Sequence, residues 1–503
     1  MLNKHWREVK AIVLEHKFFF FLLAFYVFLS TFMLGNYPRV WVDEPWESIT
    51  ASTLAHEGKM YNPVLENYSG FDKVFLQPRL VMDIALAPVF AVFGVGPVQG
   101  RLVSAACGAL LMIGVYLFTM KFISRRAALL AVWFVMIETM MFISYRTIRP
   151  EIYLVTLEVF SLMFFFRGIQ TQSSWDFFWA GLLSGIALWT HPNALLLIFA
   201  LVAILFLTYK TRAFTSRCTW SFAAAIFIGV LPYLLYVIIN DAQNSFSTFY
   251  LQLDSRTGAL AQPHWFLTSL AGEWSRLLEY TRFPSRVAIV IIFIYVWFFS
   301  LFSKKREVRN IAIVLGVQAF FSFLLITSKT IFYSTSVLPL LCILTAATTD
   351  DLLGEPLAVM VRLKRIAQLN YWRESLAVLV FIVLSLNQLA GDTSLLWEQR
   401  NCSYAETVRL LQSSIPPNAR VWGSITFWYG FQHQPFRSQY TYLREVESFK
   451  PEYMITGDTE VWGKDFWATV RQKANETIKQ RGTLIAELPK NCYGTLRVYR
   501  LQW

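Results

Sequence analysis

From residue 17 to residue 391 the chain alternates long apolar runs with short polar ones, and the run length sets the class of structure. Runs at about 17 to 34, 98 to 120, 127 to 145, 151 to 168, 175 to 190, 193 to 209, 219 to 240, 285 to 303, 310 to 327, 331 to 349 and 374 to 391 approach the length an α-helix needs to cross hydrocarbon. About eleven transmembrane helices are therefore predicted. A further run, 79 to 93, is shorter, begins RLVMD and carries Asp83. Charge sidedness decides its place. With Lys4, Arg7, Lys10 and Lys17 inside, the clusters Lys121/Arg125/Arg126, Arg167, Lys210/Arg212/Arg217, Lys304/Lys305/Arg306/Arg309 and Arg362/Lys364/Arg365/Arg373 also fall inside. Counting 79 to 93 as a span would put them outside, so it is predicted to lie on the outer surface. No A-x-A-like site follows the first run, which is expected to stay as an uncleaved helix.

Odd parity places the loops 35–97 and 241–284 and everything after 391 on the outer side. Residues 1–391 form a polytopic α-helical module. Residues 392–503 lack a long apolar run and carry mixed charge; strand-like pieces (ARVWGSITFWYGF, PEYMITGD, GTLIAEL, GTLRVYRLQ) surround a helical stretch at 459–480. A small C-terminal extracytoplasmic α/β domain is expected there. Composition agrees: of 503 residues, 55% are hydrophobic and 16% charged, with mean hydropathy +0.44. The net charge of +12 is absorbed by the inner loops, so it identifies no nucleic-acid partner. Cys107, Cys218 and Cys342 sit in or beside spans. Cys402 and Cys492 sit at the two ends of the outer domain and are expected within bonding reach, with Cα atoms about 4.4 to 6.8 Å apart.

The chemistry-bearing residues lie on the outer side. In WVDEPWESI, paired acids follow the first span directly: Pro45 and Gly58 bracket a helix, with Glu44 at its N-cap and Asp43 just before it. A helix N-terminus keeps such acids ionised, and an ionised carboxylate can take a proton from a hydroxyl. In SYRTIRPEIYL, Arg146 and Arg149 precede a helix opened by Pro150 and Glu151, with Glu158 two turns further on the same face. Arg79, Arg101, Arg256 and Lys329 are cations on the side that positive-inside logic disfavours, where charge-assisted bonds to phosphate would explain them. Only Glu138 and Glu158 lie well inside spans, with Arg101 near one end, all in the outer halves. A transporter needs polar groups near the midplane, so the pattern favours a site that opens outward.

The order DE, LQPRL, VFG, QGRLVSAACGAL, RPE, WTHPNALLL, and then Lys329 followed by Tyr333 and LPLL, resembles the GT-C membrane glycosyltransferases. It is most similar to the branch of the protein O-mannosyltransferases and the aminoarabinose transferases of lipid A, over residues 40 to 345. The resemblance implies a sugar moved from a polyprenyl-phosphate donor to a hydroxyl acceptor on lipid, glycan or protein, usually with inversion. It implies Asp43 as catalytic acid position and Glu151 as the second. Glu44, Arg79, Arg101, Arg146, Arg149, Arg256 and Lys329 are the expected substrate-binding set, and Arg79 departs from the family order by following its proline. A bacterial inner membrane, with the site on the periplasmic side, is the expected location, and membrane lipids are further partners. No metal site is expected, because His191 and His264 are single residues in separate loops. Fixed cations suffice for the leaving phosphate, so no cofactor is required, although acids in these loops leave a divalent ion open. Two competing readings are an oligosaccharide polymerase or ligase, which should carry a larger, more Arg-rich outer loop, and a lipid-linked-sugar flippase, which should carry polar groups in the inner halves of spans.

Overall fold

A computed structural model describes residues 14–257, 265–281, 284–326, 330–353, 371–457 and 466–503. Each apolar run is helical: α1 Lys17–Thr31, then, past α2 (Asp43–Glu57) and α3 (Leu80–Phe93) of the outer loop, α4 Pro97–Phe122, α5 Arg125–Ile137 with α6 Thr139–Ser144, α7 Glu151–Thr171, α8 Ser174–Thr190, α9 Ala194–Tyr209 and α10 Arg217–Asp241. After α11 (Ser247–Thr257) and α12 (Trp265–Tyr280) come α13 Pro284–Ser300, α14 Arg306–Leu325, α15 Leu338–Leu353 and α16 Tyr371–Glu398. Six helices among the described residues are long and apolar enough to cross a membrane. The chain is an integral, multi-pass membrane protein.

Two predicted spans differ in detail. The third breaks at Glu138, whose backbone turns extended while its carboxylate accepts from the amide of Met141 (2.8 Å) and the hydroxyl of Tyr280 (2.9 Å). A buried acid thus caps α6 and redirects the chain. The tenth opens with a 3-10 segment, Ile331–Ser336, ahead of α15. In that segment the hydroxyls of Ser334, Thr335 and Ser336 bond back to carbonyls three residues earlier, a local competition that disfavours regular helix.

Buried ties hold the outer loop to the bundle. Arg146 is fully buried and donates to the carbonyls of Leu29, Phe32 (2.6 Å) and Tyr37 (3.0 Å), supplying partners to carbonyls that the end of α1 leaves unpaired. Glu44 and Arg101 are both fully buried and face each other in a two-pronged pair, Nε to Oε2 at 2.8 Å and Nη2 to Oε1 at 2.6 Å. Glu44 also accepts from the amides of Trp41 and Ile148, each at 3.3 Å, and Arg101 donates to the Leu34 carbonyl at 2.7 Å. Arg79 bonds Glu47 and Thr50 of α2, approaches Asp83 at 3.4 Å, and lies 3.7 Å over the Phe75 ring.

The tail folds as a five-stranded sheet ordered β2-β1-β3-β5-β4, built from β1 Val421–Gly423, β2 Phe436–Ser438, β3 Tyr453–Gly457, β4 Gly482–Asn491 and β5 Gly494–Leu501. β1 pairs in parallel with both β2 and β3, Val421 standing opposite both Phe436 and Tyr453, and β5 pairs antiparallel with both β3 and β4. The long predicted strand ARVWGSITFWYGF is cut to β1 because Ser424 caps a 3-10 turn leading into the short helix α18 (Trp428–Phe431). Helices α17 (Tyr404–Ser413), α19 (Tyr442–Phe449) and α20 (Phe466–Arg481) complete the unit, and Val470 and Ala474 of α20 pack on Trp422, Met454 and Leu501 of the sheet.

The β4–β5 hairpin turns through Cys492 and Tyr493, with Gly494 at φ 83°, a backbone region that glycine occupies without strain. Cys492 is disulfide-bonded to Cys402, Cα to Cα 5.5 Å, within the expected range. The same tip seats on the strand that leads to α2. Arg39 donates to the Cys492 carbonyl at 3.0 Å, and the Val40 amide donates to the Tyr493 hydroxyl at 2.9 Å.

Peptide mapping without reduction should recover residues 402 and 492 in one linked fragment. The C402A/C492A variant should lose about 2 to 5 kcal/mol of outer-domain stability, read as a lower melting temperature. Replacing Arg101 with Met leaves the Glu44 carboxylate buried without its cation and should cost about 3 to 5 kcal/mol. Thermal melting in detergent checks this, and an unchanged melting temperature would refute the role given to the pair.

Candidate active site

Helix α2 begins at Asp43, two residues earlier than the sequence suggested, with Val42 as its cap residue and Gly58 closing it in the left-handed region. Asp43 and Glu44 therefore both sit in the first turn, about 100° apart around the axis. They point different ways. Glu44 turns into the protein against Arg101, while the Asp43 side chain stays 40% exposed and bonds the guanidinium of Arg149.

Arg149 is the centre of the site. Its Nε and Nη2 donate to the two oxygens of Glu151 at 3.1 and 2.6 Å, and its Nη1 donates to Asp43. Phe332 of the 3-10 segment lies 3.9 Å beneath the guanidinium carbon. His191, just past α8, meets Tyr333 edge-on at 5.2 Å. Burial works against the Arg149 cation, but the adjoining Glu151 and Asp43 carboxylates outweigh it and hold its pKa above the usual guanidinium value. One guanidinium is shared by two acids, with Glu151 2% and Arg149 11% exposed at the side chain and Asp43 reaching solvent. Such a carboxylate is positioned to accept a proton from a group that docks at the mouth.

The structure thus brings Asp43, Arg149 and Glu151 together from the start of α2, the loop before α7 and the first turn of α7. Glu44, Arg101, Arg146 and Arg79 belong to the buried ties described above and bond protein groups instead of facing the opening. Lys329 lies outside the described residues, and of Arg256 only the backbone, at the end of α11, is described. Phe332 and the contact between His191 and Tyr333 were not anticipated. The only hint was position, since FYSTS begins three residues after Lys329. Among the described residues no group of three or more His, Cys, Asp or Glu could hold a metal ion.

An aromatic cluster lies further along α2. Trp46, one turn along α2, meets Phe71 at 5.4 Å, Tyr68 at 6.3 Å and, from the C-terminal domain, Tyr440 at 5.1 Å. The C-terminal domain adds the Ser48 to Tyr429 hydroxyl contact at 2.7 Å and a bond from Arg437 Nε to Glu66 at 2.8 Å. α2 is therefore gripped from both sides, which fixes the direction in which Asp43 leaves its first turn.

No curated protein matches the sequence. The sequence profile of the dolichyl-phosphate-mannose-protein mannosyltransferase family matches residues 78–261. Among solved structures, ArnT from Cupriavidus metallidurans bound to undecaprenyl phosphate aligns over 96% of this chain and 98% of its own, with TM-score 0.63 and 15% identity. Its apo state aligns with TM-score 0.62 and 14% identity over 95% of this chain and 97% of its own. AglB, the oligosaccharyltransferase of Archaeoglobus fulgidus, in complex with an inhibitory peptide and a dolichol-phosphate, aligns over 97% of this chain and 74% of its own, with TM-score 0.52 and 12% identity. The chain is thus a membrane protein of the GT-C glycosyltransferase fold, alike over nearly its whole length to ArnT and over residues 78–261 to the protein mannosyltransferases.

Proposed function

We propose that the chain transfers a sugar from a polyprenyl-phosphate donor to a hydroxyl acceptor at the outer face of the membrane. The observation that carries this is the Asp43–Arg149–Glu151 cluster, a partly exposed carboxylate held by a buried cation and a buried second acid at the outer ends of α2 and α7. The fold shared with structures that hold undecaprenyl phosphate or dolichol-phosphate supports the donor class.

In this reading Asp43 is the general base. The acceptor oxygen attacks the anomeric carbon, the bond from that carbon to the phosphate oxygen breaks, and polyprenyl phosphate leaves with the electron pair. The acceptor proton passes to Asp43, and attack opposite the leaving group inverts the anomeric centre. Arg149 and Glu151 position the base. Lys329 and Arg256 are assigned to the phosphate, whose growing charge fixed cations stabilise without a metal. Glu44, Arg101, Arg146 and Arg79 act by holding α2 in place. The side that carries the site is the periplasmic side of a bacterial inner membrane, and residues 392–503 are an extracytoplasmic domain on that same side.

Asp43→Asn keeps size and most hydrogen bonding but removes the proton acceptor, so turnover should fall about a hundredfold or more. Polyprenyl-phosphate binding should survive in Asp43→Asn and weaken in Lys329→Ala. Both are measured on purified variants in detergent, and near wild-type turnover in Asp43→Asn would remove the mechanism. For sidedness, Lys59→Cys and Ser413→Cys, at exposed positions of the outer loop and outer domain, should both react with a membrane-impermeant maleimide from outside intact cells. Labelling of only one would overturn the assigned topology.

A further inference from the structure

Helix α12 lies in the outer loop, is not among the apolar helices long enough to span, and carries three distinct faces. Phe266, Leu267, Leu270, Trp274, Leu277 and Leu278 are all exposed, Trp274 by 62% and Leu267 by 61%. At about 100° per residue these six fall within an arc of about 120°. A second face carries the exposed polar residues Thr268, Ser275 and Glu279. The third packs on protein. The Ser269 hydroxyl donates to the Phe323 carbonyl of α14, Phe266 meets the Phe323 ring edge-on at 5.4 Å, and Tyr280 donates to Glu138 at 2.9 Å.

In water, six large apolar side chains on one face would be a liability, whereas at a lipid boundary they are a means of attachment. The surroundings identify the occupant. α12 rests on the end of α14 at Phe323, and Phe320 and Leu325 on the same stretch of α14 are exposed apolar residues beside it. On its inner side α12 packs beside the segment Ile331–Ser336, which supplies Phe332 under Arg149 and Tyr333 against His191.

We propose that α12 lies flat in the outer leaflet, apolar face among the acyl chains and polar face in water, and forms the lipid-side wall of the Asp43–Arg149–Glu151 site. A phosphate-linked donor seated in that site, which rests on the function proposed above, leaves its polyprenyl tail against this helix.

The test uses the full-length protein in lipid nanodiscs, with Cys107, Cys218 and Cys342 replaced by Ala and the disulfide kept. Leu270→Cys, Trp274→Cys and Ser275→Cys are each labelled with an environment-sensitive fluorophore. Probes at 270 and 274 should be quenched by spin-labelled lipids carrying the label near the head group and protected from aqueous iodide, and the probe at 275 should show the reverse. Quenching of all three by iodide alone would overturn the placement. So would protection of 270 and 274 from both quenchers with self-quenching between labelled copies, which would assign the face to a second copy of this chain. This readout needs no turnover, so it stands or falls apart from the catalytic reading. For the tail, the W274E/L278E variant should raise KM several-fold for a long-chain polyprenyl donor and leave it unchanged for a short-chain, water-soluble analogue. An equal effect on both donors would remove the wall.

Discussion

Charges that leave water at the edge of a bilayer must find partners, and the architecture of the outer loop depends on that requirement. The Glu44–Arg101 pair is its anchor. Desolvating either ion alone costs several kcal/mol, so the pair forms only in the geometry in which both prongs, two amides and a carbonyl satisfy it together. That geometry fixes the rotation of α2, and with it the direction of its neighbour. Asp43, about 100° further round the helix, is turned toward the opening because Glu44 is turned inward. Two adjacent acids of similar chemistry thus take different environments, one an internal strut and the other a partly solvated carboxylate.

The same constraint explains why the C-terminal domain is attached where it is. The segment from Asn36 to Val42 leaves α1 with free backbone groups, and the C-terminal domain supplies their partners: the Gln399 side chain accepts from the Arg39 amide at 2.7 Å, and Tyr493 accepts from Val40. The disulfide ties the hairpin tip that carries Tyr493 to the chain just past α16. The tip is thereby held from both the membrane helix and the sheet. The approach to Asp43 is therefore set by residues more than 350 positions away in the chain.

Much of this was legible in the sequence, for local reasons. Run length depends on each segment's own composition, so the apolar helices and the placement of a mixed helix-and-strand unit after the last of them follow from the chain read in order. Cysteine position likewise pointed to the pair at 402 and 492. The acids after the first span and the RPE turn stood out because ionisable groups beside a bilayer are costly unless they are used. Short strands and hydroxyl-bonded 3-10 turns were less legible: β2 and the cut after β1 depend on neighbours instead of on periodicity.

Tertiary structure decided which charge meets which. Arg101, Arg146 and Arg149 are equivalent by residue type. Their separate fates, paired with Glu44 across 57 positions, with the carbonyls closing α1 across up to 117, and with Asp43 across 106, follow from how the helices pack. It also turned α12 so that its apolar stripe faces outward while its other side seats on the segment under Arg149. Composition and period determine what each segment can bury. The partner for each buried charge is chosen only when the helices close, because pair energies act over a few ångströms between residues the sequence keeps far apart.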